Sequence, residues 1–143
     1  MNLNFTKLIK EKRLRAREAN KGKIKSLIES AKNNVEVVSS LELSEKNATV
    51  IFREVYESIR QLGDARFWIL GYEPLDHIIS LDSLKELYIK ERVKLNYLDR
   101  FKQISHDANY RGFNVSASQA KEILDFWKTC AKEIILLLNN EIK

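Results

Sequence analysis

The sequence predicts an all-α fold: an antiparallel up-and-down bundle of four to five helices, with an additional basic N-terminal helix. Three observations lead there. Apolar residues recur at alternating three- and four-residue spacings along several long stretches, the signature of helices buried on one face. One Pro and four Gly leave little room for the turns of an all-β fold. Helix-capping residues fall at the ends of the periodic stretches.

The chain of 143 residues fits one domain and is long enough to bury a core. We divide it into a basic N-terminal helix at residues 1–22 and a bundle at residues 23–143. The first helix is expected over Phe5 to Ala19, with Phe5, Leu8 and Ile9 on one side, and Asn20-Lys21-Gly22 breaks it. Ile24, Leu27, Ile28, Ala31, Val35 and Val38 then mark a second helix. After a short connection at Ser39 to Leu43, Ser44 is a candidate N-cap for a long helix ending at Gly71. Its stripe is Ala48, Phe52, Val55, Ile59 and Leu62. Gly63 interrupts that helix at a cost of roughly 1 kcal/mol relative to Ala, which close packing of another helix would explain.

Tyr72-Glu73-Pro74 turns the chain, and Pro74 suits the first position of a helix running to about Tyr88. A further helix is expected from Val93 to Tyr110, ended by Gly112 and Phe113-Asn114. Ser116 and Gln119 form a capping box for the last helix. Its apolar stripe runs through Ala120, Ile123, Leu124 and Trp127 to Ala131, Ile134 and Leu138.

Composition narrows the function classes. Charged residues make up 31% and hydrophobic residues 44%, which reads as soluble and globular. The longest apolar run, Ile134 to Leu138, is too short for a membrane span. The N-terminus is polar and basic with no apolar signal core, so a cytoplasmic protein is expected. The single Cys130 excludes an internal disulfide and a multi-cysteine zinc site and is read as a small core residue. Residues 1–25 hold nine Lys or Arg against Glu11 and Glu18, a charge of +7, which leaves −2 for the other 118 residues. Such a cluster can hold a phosphate backbone, or can be a solvated helix.

The stretch from Arg100 to Gly112 carries the most chemistry. On a helix turning about 100° per residue, Tyr97, Phe101, Ile104 and Ala108 share one face. His106 points the opposite way, near Asp99, Gln103 and Tyr110. Arg100 lies about 120° around from His106 and roughly 9 Å along the axis. The pair shares no face, so any joint site is composite, assembled across two protomers or by bending the helix end. Its chemistry would be specific. A His near neutral pH can take the proton of an RNA 2′-hydroxyl that attacks its own phosphate, and an Arg fork stabilises the charge that develops. Neither step needs a metal or a cofactor. A solvated histidine on a polar face is the simple alternative.

Three stretches together resemble the HEPN domain, the nucleotide-binding helical domain of higher eukaryotes and prokaryotes. They are the helix from Ala48 to Arg60, the Gly71-Tyr72-Glu73-Pro74-Leu75-Asp76-His77 turn, and the Arg100 to Gly112 segment followed by the helix near Ser116. The likeness covers about Leu27 to Leu138. It implies a helical bundle that dimerises around the Arg–His helix. It also implies metal-independent RNA cleavage, often by a toxin paired with a nucleotidyltransferase antitoxin. The family signature is an Arg followed after a short gap by a His, and five residues separate Arg100 from His106. By resemblance, Arg100 and His106 are the catalytic pair. Gln103, Asn109, Tyr110 and Arg111 are the RNA or nucleotide contacts.

Two departures stand. The residue after the family's arginine is commonly polar, and here it is Phe101 on the core face. If Gly112 sets the register instead, the family's Arg-Asn…His falls on Ser105-His106…Tyr110, and the domain is a degenerate member. That member would bind a nucleotide or a nucleotidyltransferase partner; a plain helical dimerisation or adaptor protein is a separate alternative. His77 is read as a capping or packing residue.

Overall fold

The computed structural model describes residues 3–142. In chain order the elements are α1 (Phe5–Lys10), β1 (Leu14–Ala16), α2 (Lys21–Ser39), α3 (Ala48–Leu70), β2 (Tyr72–Pro74), α4 (Ile78–Leu84), α5 (Tyr97–Tyr110) and α6 (Ala117–Glu141). The fold is an all-α bundle with one two-stranded ribbon. Helix α3 is its axis, packed by α2, α4, α5 and α6. Its buried stripe runs from Ala48 through Phe52, Val55, Ile59 and Leu62 to Phe67. Around Phe52 the core is aromatic: Phe101 of α5 meets Phe52 edge-on at 6.2 Å and Phe126 of α6 at 5.5 Å. Such contacts hold α5 against both long helices. Cys130 is buried in this core, and burial pushes its thiol up to about 11.

Several expected caps are present. Gly71 ends α3 at φ 93°, the left-handed conformation that glycine adopts without strain. Ser116 and Gln119 make the reciprocal capping box that starts α6. Gly63 sits where α4 crosses α3, and a Cβ there would lie 2.0 Å from the Ser80 carbonyl oxygen. Ser44 acts one turn early. Its Oγ accepts from the Asn47 N–H at 3.4 Å, its own N–H donates to Asn47 Oδ1 at 2.9 Å, and the helix begins at Ala48.

Other elements differ from expectation. The helix expected over Phe5 to Ala19 stops at Lys10, where Lys12 turns the chain at φ 61°. The chain then forms β1, antiparallel to β2, with Leu14 opposite Pro74, Arg15 opposite Glu73 and Ala16 opposite Tyr72. Burial of Leu14 beside Leu8, Phe67 and Ile79 outweighs the helical preference of this short segment. Asn20 is the N-cap of α2, so Asn20-Lys21-Gly22 begins a helix where a break was expected. Pro74 belongs to β2 instead of opening a helix. In a two-stranded ribbon its missing N–H costs little. Helix α4 begins at Ile78, whose N–H is accepted by the Asp76 carboxylate at 2.9 Å, and ends at Leu84 rather than Tyr88. The helix expected from Val93 opens as a 3₁₀ turn over Arg92–Asn96 and becomes α-helical at Tyr97. Tyr97 is exposed, and Leu98 takes its place in the core. No helix among the described residues is long and apolar enough to cross a membrane.

Candidate functional site

Helix α5 buries Leu98, Phe101 and Ala108 and turns its polar face outward. Between that face, α3 and the start of α4 lies an open groove of about 530 Å³. From α5 it receives Lys102, Ser105, His106, Asn109 and Tyr110. From α3 it receives Tyr56 and Arg60, four residues apart and so on one helical face, and from α4 His77 and Ile78. Both histidines of the chain therefore face one groove.

The α3 wall is the rigid one. Arg60 Nε donates to Glu57 at 2.9 Å, and Nη1 donates to Asp64 at 2.8 Å. Burial opposes the arginine's charge, but the Glu57 and Asp64 carboxylates outweigh it and hold the guanidinium above its usual range. Asp64 is itself pushed up by burial, partly offset by the Ser80 hydroxyl and by Arg60. The same Nη1 lies 2.6 Å from His77 Nδ1. A guanidinium can only donate, so this contact makes Nδ1 the acceptor and leaves the ring proton on Nε2. His77 stands at the N-cap position of α4 but caps nothing; Asp76 supplies that bond. The capping role expected of His77 is thus filled by its neighbour. Burial pushes the Tyr56 phenol up, against the opposing influence of the Ser105 hydroxyl and Arg60.

The α5 wall is the adaptable one. His106 is exposed, with its ring centroid 5.0 Å from that of Tyr110. Tyr110 is 79% exposed and offers a free aromatic face. Lys102 bonds Asp82 at 3.0 Å, and Gln103 bonds Asp107 at 3.0 Å. The groove can thus present two imidazoles, a stacking surface and the Lys102 ammonium, which Asp82 already pairs, and the Asp99 carboxylate also lines it.

Arg100 lies elsewhere. It is directed toward α6, where its Nε and Nη2 each lie 3.1 Å from Glu122 Oε2. One protomer therefore does not bring Arg100 to His106, in keeping with the helical geometry. Gln103, Asn109 and Tyr110 line the groove. Arg111 sits past the helix end, 3.9 Å from Asp107 and over the Phe113 ring. Sequence reasoning missed Tyr56 and Arg60. The only signal was their shared face beside the apolar stripe of α3. No cluster of three or more His, Cys, Asp or Glu among the described residues is arranged to hold a metal ion.

No protein-family model matches the chain, and neither a search of curated proteins nor one of solved structures returns a match.

Proposed function

We propose that this chain is a HEPN-type domain that binds RNA in the α3–α4–α5 groove and cleaves it without a metal. The observation that carries the reading is the convergence of both histidines with Lys102 and the exposed Tyr110 ring on that groove. His106 takes the proton of a 2′-hydroxyl. The 2′-oxygen then attacks the adjacent phosphorus, and the bond from phosphorus to the 5′-oxygen breaks. The departing 5′-oxygen takes a proton from water, and the resulting hydroxide takes back the proton held by His106, leaving a 2′,3′-cyclic phosphate and a 5′-hydroxyl. Charge on the transition state is stabilised by Arg100 of a second protomer, which makes the site composite and requires a homodimer; a cytoplasmic setting belongs to the same reading but does not follow from the site. A nucleotidyltransferase antitoxin is the neutralising partner this reading expects.

The test is RNA cleavage by the purified protein in excess chelator, with the product ends identified. His106→Ala should abolish cleavage and any growth arrest on expression. Undiminished cleavage by that variant overturns the assignment. The Arg100–Glu122 pair favours a second reading, a non-catalytic module that binds a nucleotide or a partner through the same groove. RNA left intact by the wild-type protein, with a nucleotide bound, would select it.

A further inference from the structure

The basic N-terminal segment and the groove meet at one place. Strand β2 leads within a few residues to Asp76, His77 and Ile78, and β1 is locked beside it. Past the last register pair, the Leu75 N–H donates to the Arg13 carbonyl at 2.9 Å, and Arg13 Nε donates to Asp76 at 2.6 Å. Arg13 thus stands next to the residue that precedes His77. At the other end of the ribbon, the Arg17 N–H donates to the Gly71 carbonyl at 2.9 Å. The segment that carries +7 of the chain's charge is therefore anchored along β2 by backbone hydrogen bonds, with Arg13 at the end next to the groove and Arg15 and Arg17 successively farther from it.

Its charge is in excess there. Arg15 bonds Glu73, and Arg17 lies 3.8 Å from the same carboxylate. Lys23 is placed over the Trp68 ring at 5.8 Å and also acts on Glu73. The Arg15 hydrogen bond, reinforced by the charges of Arg15, Arg17 and Lys23, holds the Glu73 carboxyl below its usual range. Three cations thus share one carboxylate. Arg15 within the strand and Arg17 just past it remain exposed, as does Ala16, while Leu14 is buried.

We propose that the β1–β2 ribbon is a second RNA-binding surface, in which Arg15, Arg17 and Lys23 hold the phosphate backbone of the strand that enters the groove past His77. This rests on the RNA reading of the groove but uses none of its proposed catalytic groups. The contacts are to phosphates, so they set affinity and direction without reading sequence. The ribbon supplies positioned backbone as well as charge, which a frayed basic helix would not.

The test uses the full chain and a 2′-O-methyl single-stranded RNA oligomer, which binds but cannot be cleaved. Affinity is measured across a series of salt concentrations. Each phosphate contact on a single strand contributes roughly 0.7 to the slope of log affinity against log salt. The variant R15Q/R17Q/K23Q should therefore flatten the slope by about 2 and weaken binding at least about tenfold at low salt. An equal change of charge on the α2–α6 side, K32Q/K128Q/K132Q, should leave the slope within experimental error. Glu73→Gln moves the other way. It releases the three cations from their shared carboxylate and should tighten binding severalfold, an outcome that misfolding cannot mimic.

If wild type binds and both triple variants lose equally, or Glu73→Gln binds no tighter, the ribbon assignment falls and the groove reading stands. If His106→Ala leaves cleavage unchanged while the ribbon variants behave as expected, the ribbon stands and the catalytic assignment falls. Wild-type protein that binds vesicles rich in anionic lipid but not RNA overturns both.

Discussion

Gly63→Ala sets two well-characterised effects against each other. Alanine in a helix interior is favoured over glycine by roughly 1 kcal/mol, so propensity alone predicts a stabilised protein. The packing predicts the reverse. The added Cβ would lie 2.0 Å from the Ser80 carbonyl oxygen and 2.5 Å from its carbon, both backbone atoms of α4. Restoring even a 3.0 Å contact requires α3 and α4 to part by about 1 Å. Neither helix can yield locally. Ser83 Oγ bonds the Ser80 carbonyl at 2.7 Å and the Gly63 carbonyl at 3.3 Å, and Ser80 donates to the buried Asp64. Overpacking of a well-filled core costs about 1–3 kcal/mol, and displacement of backbone belongs at the upper end. The net expectation is a loss of about 2 kcal/mol, after the propensity gain is subtracted. Urea unfolding followed by circular dichroism measures it, with an unchanged m-value showing that the two states are the same. A variant as stable as wild type would refute the account of the α3–α4 crossing. It would also remove the reason for a glycine inside the longest stripe of the core.

Two further outcomes follow from caps and charges. Ser116→Ala removes the oxygen that accepts the Gln119 N–H at 3.1 Å, and should cost about 1 kcal/mol in urea unfolding; a change of only a few tenths would mean the box does not hold α6. Asp76 gives a pH test. Burial raises its carboxyl, but the Ile78 N–H and Arg13 overcome this and hold it below its ordinary 3.8. A carboxylate depressed in the folded state contributes stability that is present above its ordinary value and is lost as pH falls through its folded value. Wild-type protein should therefore lose an increment of stability below about pH 4 that Asp76→Asn lacks. Parallel acid profiles for the two proteins would show that the Ile78 N–H and Arg13 bonds to the Asp76 carboxylate add nothing to the folded state.

The long helices were legible because each carries its own evidence. Ala48 through Leu62 and Ala120 through Leu138 repeat with helical period over many turns, and Gly71 and Ser116 mark their ends chemically. The ribbon was not legible, because its cause is non-local. Leu14 becomes a strand residue by burial against Phe67 and Ile79 and by pairing with Pro74, far along the chain. Locally, Phe5, Leu8 and Ile9 give a helical signal too short to show where it stops. The site divides the same way. That His106 and Arg100 face apart follows from helical angle alone. That Arg60 meets His77 depends on how α4 crosses α3, which the Gly63 contact and the Ser80 and Ser83 hydrogen bonds fix and which no spacing in the sequence states.

Arg60 and Arg100 are held in physically different ways, and this bears on which can serve chemistry. Arg60 is half-buried between Glu57 and Asp64, and extracting it would leave a buried carboxylate unpaired. Breaking a buried pair costs about 3–5 kcal/mol, more than a typical charge-assisted contact to a phosphate returns. Arg60 is thus a positioning residue: it fixes the tautomer of His77 and stays where it is. Arg100 is 54% exposed and held by one partly exposed carboxylate. An exposed pair is worth about 0–1 kcal/mol, whereas a hydrogen bond to a charged group contributes about 1.5–3. A phosphate within reach would therefore draw Arg100 off Glu122. The ion pair, which within one protomer favours the non-catalytic reading, is thus weak enough for a phosphate to displace. What keeps Arg100 from the His106 of its own protomer is the angle between them on α5, and a second copy of the chain removes that constraint.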